Sequence, residues 1–318
     1  MLIVSNYHYI REDFTSKYRS IFGLKPKDFE NQLLELSKQG TFISQRDLLN
    51  YKEASFDKNY ILITFDDGLS EQFELAKPIL DRLGIPFVFF INTVNFEEEK
   101  VSMVHKVHMV RSELSSTDIL AEISKNIKVS LSINEIKLAQ VNYNYDTKET
   151  AILKYLLNFK LDKVEQRLLI DPLFRLLFNE KKVVKTLYFN KEQLKVLFDS
   201  DNLGSHSHNH VPLGYLSDKE IKLEFENTQS FFKKEFNQKA YSISYPYGSF
   251  EACNKVTELA YQYGFELGFS MERAANSNLI DNALMLSRYD CNDLPLSKSN
   301  IFGNRNIFKS SSLSKWYK

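Results

Sequence analysis

The sequence predicts an α/β fold built on a parallel sheet or barrel that is interrupted by a helical insertion. Short apolar runs alternate with longer segments whose apolar residues recur at helical spacing, a pattern typical of repeated strand–helix units. The 318 residues include only 10 glycines and 7 prolines, below the average of ~7% and ~5%, which argues against a turn-rich sandwich. The strand rhythm stops between about residues 97 and 184 and then resumes, which indicates an insertion within one domain.

The individual elements follow from the apolar runs and their flanking residues. Seven runs are predicted to be strands: Leu2–Tyr9, Tyr60–Phe65, Phe87–Ile91, Asn202–Ser205, Tyr241–Ser244, Phe265–Phe269 and Ala283–Ser287. Five segments are predicted to be helices: Pro26–Gln39, Ser70–Leu83, Lys191–Asp199, Ser217–Phe236 and Glu251–Tyr263. Gly40, Gly84 and Gly264 are predicted C-caps, and Ser217 with Glu220 forms a capping box.

The predicted domain is discontinuous. Residues 1–98 and 185–294 are its two halves, because each half alone supplies too few strands to close a sheet. Residues 99–184 carry apolar residues at i, i+3, i+4 and i+7 and are predicted to be all helical. Residues 295–318 are rich in Ser, Asn and Lys and are predicted to be a C-terminal arm or frayed tail.

Composition excludes several classes of protein. Lys and Arg number 41, as do Asp and Glu, so no basic field favours nucleic acid or an anionic surface. Two cysteines, Cys253 and Cys291, are too few for a disulfide framework. The N-terminus does not resemble a signal peptide and no 18-residue apolar run occurs, so we expect a cytoplasmic location without a membrane span.

Two acidic residues follow a predicted strand. Asp66 and Asp67 come directly after the run ending at Phe65, and Gly68 allows the backbone to turn there. Neighbouring side chains on a strand face opposite ways, so the two carboxylates could take different roles at the strand end where barrel active sites lie. The alternative is an Asx turn that caps the following helix.

Three of the six histidines fall within five positions. His206 and His210 are predicted to share one face of a helical turn, whereas His208 points elsewhere. The alternative is a polar surface loop or a metal-scavenging tract. One carboxylate with two imidazoles would leave coordination positions open, as in catalytic zinc sites, and the spare carboxylate could act as general base.

These residues resemble a known family. Thr64 to Gly68 read Thr-Phe-Asp-Asp-Gly, similar to the first motif of the polysaccharide deacetylases (NodB homology, carbohydrate esterase family 4). His206 to His210 match the family's His-Ser/Thr-x-x-His motif, and Ser244 to Gly248 resemble its third motif in a Tyr-Pro-Tyr-Gly form. In order and spacing the resemblance covers about residues 1–98 and 185–290.

The resemblance implies a distorted (β/α)7 TIM-like barrel (the NodB fold) and metal-dependent removal of an acetyl group from an N-acetylated sugar. It implies that Asp67, His206 and His210 bind a divalent metal, with Zn²⁺ expected and Co²⁺, Ni²⁺ or Mn²⁺ as alternatives. Asp66 would be the general base. Pro246 and Tyr247 would line the groove, with the Tyr247 amide helping to hold the oxyanion.

The chain departs from the usual family pattern at two positions. No histidine follows His210, so the late Leu-x-x-His motif is absent. Residues 6–9 read Asn-Tyr-His-Tyr, similar to the N-terminal Tyr-His of biofilm poly-N-acetylglucosamine deacetylases, so His8 is predicted to be the catalytic acid. The alternative is a core imidazole.

The second departure concerns an arginine. Ser244 stands at the position where the third motif usually has arginine. Arg288 follows the last predicted strand and is predicted to supply an arginine that pairs with Asp66 or with the substrate. A cation there would keep Asp66 ionised at neutral pH. A plain surface ion pair is the alternative for Arg288.

The leading functional prediction is a hydrolase that removes N-acetyl groups from an amino sugar. The expected cytoplasmic location favours a surface-polysaccharide precursor or an oligosaccharide as substrate. The balanced charge predicts no nucleic-acid partner. The oligomeric state is left open. The alternative is a non-catalytic carbohydrate-binding protein on a degenerate barrel. A third possibility is a 2-His-1-carboxylate Fe(II) oxygenase. Asp66 argues against that possibility, because such enzymes need no second carboxylate beside the ligand aspartate.

Two features of the insertion stay open. His105 and His108 could form a second metal site or contact substrate, or could simply pack. The aromatic stretch from Tyr143 to Tyr155 could stack on sugars or fill a helical core.

Overall fold

A computed structural model describes residues 1–15, 23–51, 55–143, 146–253, 255–279 and 283–309. Eight strands occur in these residues: β1 (Leu2–Tyr7), β2 (Thr41–Phe42), β3 (Tyr60–Phe65), β4 (Phe87–Ile91), β5 (Leu203–Ser205), β6 (Ser242–Ser244), β7 (Leu267–Phe269) and β8 (Tyr289–Asp290). The α-helices in the first part of the described chain are α1 (Pro26–Ser37), α2 (Gln45–Asn50), α3 (Lys77–Leu83), α4 (Val94–Glu97), α5 (Met103–Glu113), α6 (Ser116–Asn126) and α7 (Ile133–Asn142). Those that follow are α8 (Lys148–Tyr155), α9 (Lys163–Leu177), α10 (Glu180–Leu187), α11 (Lys191–Asp199), α12 (Asp218–Phe236), α13 (Phe250–Cys253) and α14 (Thr257–Gln262).

The chain divides into two compact units. The first comprises the described residues of 1–12, 23–100 and 184–318, and the second those of 13–22 and 101–183. All eight strands belong to the first unit. In the part of the chain that the structure describes, no helix is long and apolar enough to cross a membrane.

The strands of the first unit form one parallel sheet in the order β7-β6-β5-β4-β3-β1-β8, with β2 added on β3. The segment 286–290 links the two ends of this order, because Leu286 bridges Phe269 of β7 while Tyr289 pairs with Ser5 of β1. The prediction of a distorted (β/α) barrel is therefore confirmed. The carboxyl ends of its parallel strands meet at one end of the barrel.

The core between the strands and the helices is built from side chains that alternate along the strands. Phe65 packs against Tyr7, Phe89 and Phe29, with ring centroids 5.2, 4.8 and 5.7 Å apart. Phe29 belongs to the buried face of α1, which thereby covers β1 and β3. Burial of these rings fixes the strands rigidly, so the residues that follow each strand are held in place.

Several predicted element boundaries are wrong. β1 ends at Tyr7 rather than at residue 9, and the short elements β2 and α2 were not predicted because two and six residues carry too little periodicity. The predicted helix 70–83 starts as a π-helical turn over 72–76. Glu251–Tyr263 is two short helices, α13 and α14.

Two further predictions fail for local reasons. Gly40 is not a left-handed C-cap, because α1 already ends at Ser37 with Lys38 as its cap, whereas Gly84 does take φ +64° after α3. The predicted strand at 283–287 is reduced to isolated contacts: the Ala283 carbonyl accepts from the Gly268 amide, and Leu286 bridges Phe269.

The C-terminal segment also differs from the prediction. Residues 310–318 of the predicted tail lie outside the described residues. In the described part, Phe302, Ile307 and Phe308 are buried in the barrel core. These apolar side chains anchor a segment whose Ser, Asn and Lys content alone predicted a frayed end.

The described residues of the second unit form helices and no strand. They include a partly buried ion pair in which Lys106 Nζ lies 2.9 Å from carboxylate oxygens of both Asp171 and Glu180. The His105 and His108 rings are 6.3 Å apart, but no group of three metal donors within the described residues includes them.

The aromatic stretch of the insertion fits the packing interpretation. Tyr155 is buried with Ala139 and Ala151, and Tyr143 packs against this cluster. Tyr145 lies outside the described residues.

Candidate functional site

The candidate site residues other than Arg288 follow barrel strands at their carboxyl ends. His8 follows β1, Asp66 and Asp67 follow β3, the histidine motif follows β5, and Tyr247 follows β6. These strands are neighbours or near neighbours in the sheet. The fold therefore brings together residues that are far apart in the sequence, at the end of the barrel where active sites form.

Asp67, His206 and His210 form a group of potential metal donors. Asp67 Oδ1 lies 3.7 Å from His206 Nε2 and 3.3 Å from His210 Nε2, and the ligand atoms of all three residues lie within 4.8 Å of one another. Two ligands of a tetrahedral ion at ~2.0–2.1 Å each are about 3.3 Å apart, so this spacing suits a divalent cation. It is the only such group of three or more donors among the described residues.

The surroundings of His206 leave its Nε2 available as a ligand. His206 Nδ1 lies 2.7 Å from the Ser244 carbonyl oxygen. A carbonyl oxygen only accepts, so Nδ1 carries the hydrogen and Nε2 keeps its lone pair on the side of Asp67. Burial lowers the pKa of His206 to about 4, against the smaller opposing effects of Asp66 and Asp67, so the imidazole is neutral at pH 7.

The two histidines converge through a loop, and the prediction of a helical turn is wrong. Residues 206–210 have no regular secondary structure, and Ser207 and His210 take φ of +64° and +53°. These left-handed residues bring the His206 and His210 rings to 4.9 Å. Asp67 also takes a left-handed φ, +79°, so strained backbone is concentrated at the candidate site.

His208 lies outside the donor group, as predicted from its spacing. Its Nδ1 is 2.8 Å from Thr93 Oγ1 and its Nε2 is 3.4 Å from Glu98 Oε1. The buried ring therefore links the loop to the segment after β4.

Asp66 forms a buried fork with Arg288. Arg288 donates from Nη1 to Asp66 Oδ1 at 3.0 Å and from Nη2 to Oδ2 at 2.9 Å. Asn6 also donates to Oδ2, at 2.9 Å. Burial opposes ionisation, but the charge and hydrogen bonds of the Arg288 guanidinium outweigh it and hold the pKa of Asp66 well below its usual range.

Arg288 is fully buried, so it is not a surface ion pair. Its Nη2 donates to Ser244 Oγ at 2.8 Å and its Nε to the Ser270 carbonyl oxygen at 2.8 Å. Ser244 thus occupies the position where the family usually has arginine and accepts a hydrogen bond from an arginine that directly precedes β8. Sequence reasoning missed Asn6 and Ser270, because no local pattern marks contacts between distant strands.

His8 lies at the edge of the site. Its Nε2 is 4.0 Å from Asp66 Oδ2 and its side chain is 36% exposed, which does not fit the alternative of a core imidazole. Gln72, which sequence reasoning also missed, donates to the backbone carbonyls of His8 and Asp66 at 2.8 and 2.6 Å. This amide fixes the two strand ends relative to each other.

Tyr247 stands over the donor group. Its ring centroid is 5.5 Å from that of His210 and its side chain is half exposed, whereas Pro246 is buried. Tyr247 and Gly248 both take left-handed φ, +64° and +59°. A Cβ at position 248 would lie 2.6 Å from the Met271 amide nitrogen, so the close approach there requires glycine.

Comparison with known proteins identifies the family. The sequence matches the family model described as polysaccharide deacetylase over residues 53–132 and 176–268. This chain belongs to the polysaccharide deacetylase family. The deacetylase is accordingly a hydrolase that acts on N-acetyl amide bonds. The matched residues include both aspartates and the histidine motif, whereas His8 and Arg288 lie outside them.

Solved structures share the fold of this deacetylase. The deacetylase PplD from Streptococcus pyogenes, in complex with acetate, is 17% identical, with 95% of this chain and 96% of that chain covered and a TM-score of 0.52. A de-N-acetylase from Aggregatibacter actinomycetemcomitans is 13% identical, with 94% and 95% covered and a TM-score of 0.51. A search of curated proteins found no match.

The low pKa of His206 predicts a pH-dependent stability of the metal-free deacetylase. Between pH 6.5, the ordinary histidine pKa, and about 4, the unfolded chain binds a proton at His206 that the folded chain does not. The free energy of unfolding should therefore fall as the pH drops through this window, by on the order of 3 kcal/mol for this residue.

Urea unfolding of chelated protein at pH 7 and pH 5 measures this effect, with His206→Gln as the comparison. The wild type should lose more stability on acidification than the variant. Equal pH dependence in both proteins would contradict a buried neutral His206.

Proposed function

We propose that this polysaccharide deacetylase is metal-dependent and removes the N-acetyl group of an amino sugar in a surface-polysaccharide precursor or an oligosaccharide. The convergence of Asp67, His206 and His210 beside an ionised Asp66 carries this proposal. Zn²⁺ is the proposed ion, since two imidazoles and one carboxylate with open positions are the donor set of catalytic zinc; Co²⁺, Ni²⁺ and Mn²⁺ are the alternatives. A bound cation supplies Lewis-acid polarisation of the acetyl carbonyl and lowers the pKa of water.

Asp66 is the proposed general base. It accepts the proton of the water that attacks the acetyl carbon, as that water's oxygen forms the new C–O bond. Arg288 and Asn6 restrict the orientation of the carboxylate, and the low pKa keeps Asp66 ionised at neutral pH. Arg288 is a positioning residue in this scheme, because it acts through Asp66.

His8 is the proposed general acid. Its partial exposure and its 4.0 Å separation from Asp66 are compatible with a ring that reaches a substrate at the barrel mouth. Protonated His8 donates to the amine nitrogen as the C–N bond breaks, so acetate and a free amino sugar leave. The Tyr247 amide is proposed to stabilise the oxyanion, and Pro246 and the Tyr247 ring to line the sugar groove.

Two observations favour the catalytic proposal over a carbohydrate-binding protein on a degenerate barrel. The buried Asp66–Arg288 fork replaces the missing third-motif arginine, and the three donors have ligand spacing. A protein that only bound sugar would have no need of a costly buried charge pair beside such donors.

The proposed function is tested by acetate release. Purified protein is incubated with N-acetylated nucleotide sugars, N-acetylated oligosaccharides and an O-acetylated sugar, with and without chelator. We expect acetate from an N-acetylated substrate, loss of activity with chelator and recovery with Zn²⁺. Saturable sugar binding without acetate release would instead support the carbohydrate-binding alternative.

Asp66→Asn should retain metal but lose activity. Loss of the general base should cost about 2 to 5 kcal/mol of transition-state stabilisation, measured from kcat/KM, with metal content unchanged by elemental analysis. Asp293→Asn is the matched control, because Asp293 is a buried carboxylate in a second fork, with Arg273 at 2.7 and 2.9 Å. If metal is lost together with activity, the roles assigned to the two aspartates are wrong.

His8→Ala should lower kcat by roughly 10²- to 10⁴-fold with KM little changed, because leaving-group protonation is lost while binding contacts remain. Steady-state kinetics measure this, with His108→Ala in the second unit as the control. Wild-type turnover in His8→Ala would remove His8 from the mechanism.

A further inference from the structure

Glu224 of α12 holds the loop that carries the two histidine donors. Its Oε2 accepts from the backbone amides of His208 and Asn209 at 3.0 and 2.9 Å, and its Oε1 accepts from Asn209 Nδ2 at 2.7 Å. Glu224 is buried and lies outside every motif that the sequence pointed to. A carboxylate that accepts three hydrogen bonds makes a strong, directional contact.

These hydrogen bonds act where the loop is strained. His208 and Asn209 lie between Ser207 and His210, both of which have left-handed φ. Such residues persist only when surrounding contacts hold them. The backbone of this loop places His210 Nε2 beside Asp67. The hydrogen bonds to Glu224 therefore help to position that nitrogen.

The other side of the loop is fixed by the segment after β4. The amides of Thr93 and Val94 donate to the carbonyls of Ser207 and His208 at 3.3 and 3.2 Å, and Asn92 Nδ2 donates to the His206 carbonyl. The loop is therefore held between two elements, and Glu224 is the contact from α12.

The helix itself is a rigid support. α12 starts with a capping box between Ser217 and Glu220 and buries Ile221 and Phe225, one turn before and one residue after Glu224. The carboxylate is thus presented from a fixed backbone position, which is what precise placement of a ligand loop requires.

We propose that Glu224 is a positioning residue that preorganises the His206–His210 loop for binding a divalent cation. This inference rests on the proposed function in one respect, namely that the ligand of the loop is a divalent cation. Removal of outer contacts of this kind weakens metal binding by about 10- to 100-fold.

The test compares Glu224→Ala, Glu224→Gln and the same-helix control Glu226→Ala in full-length protein. Zn²⁺ affinity is measured by competition with a chromophoric chelator. Hydrogen exchange at the amides of residues 208 and 209 is measured in metal-free protein. Glu226 contacts Tyr263 Oη at 2.7 Å and should not affect the loop.

We expect Glu224→Ala to bind Zn²⁺ about 10- to 100-fold more weakly and to exchange both amides faster. Glu224→Gln should restore most of the affinity, because its oxygen accepts both backbone amides and a flipped Asn209 amide can accept from its NH2 group. Wild-type affinity and wild-type exchange in Glu224→Ala would overturn the proposal.

A second variant covers the case in which Glu224→Ala does not fold. Asn209→Ala removes one of the three hydrogen bonds and should weaken Zn²⁺ binding by a smaller factor; unchanged affinity and exchange would also overturn the proposal. Amide exchange in metal-free protein needs no catalysis. A wild type that binds no metal would therefore refute the proposed function, while the exchange data would still decide the role of Glu224.

Discussion

The pairing of Asp66 with Arg288 is the interaction on which the candidate site depends. A buried carboxylate alone would take up a proton, and a buried guanidinium alone would carry an uncompensated charge, so each group is stable in its ionised form only through the other. Arg288 also donates to the Ser244 and Thr64 hydroxyls and to the Ser270 carbonyl. One side chain directly before β8 therefore links the ends of β3, β6 and β7 and keeps Asp66 ionised.

The neighbouring carboxylate has a different environment. Asp67 turns away from the fork through a left-handed backbone and faces two histidines, of which His206 is held neutral by burial. One carboxylate beside two imidazoles is a donor set that a divalent cation completes. The sequence Asp-Asp thus supplies two carboxylates with separate surroundings, because the backbone at the second one departs from the strand.

The sequence predicted the parallel barrel and the residues that gather at one end of it, because strand–helix alternation and the placement of acids and histidines after strands are local patterns. It did not predict the loop conformation of residues 206–210, since spacing of i, i+4 fits a helical turn equally well. Contacts from the segment after β4 and from Glu224 decide between the two conformations. Asn6, Gln72 and Glu224 were missed for the same reason. Their roles arise from contacts between segments far apart in the chain, which no short pattern records.

The chain order of the candidate site has a consequence for folding. His8 follows β1 and Arg288 directly precedes β8, and the link from Leu286 to Asp290 joins the edges of the sheet. The guanidinium that neutralises Asp66 lies 222 residues after it in the sequence, beside the segment that joins the two edges of the sheet. Closure of the barrel and neutralisation of the buried acid are therefore coupled, so an opening of the sheet at this seam would leave Asp66 without its partner.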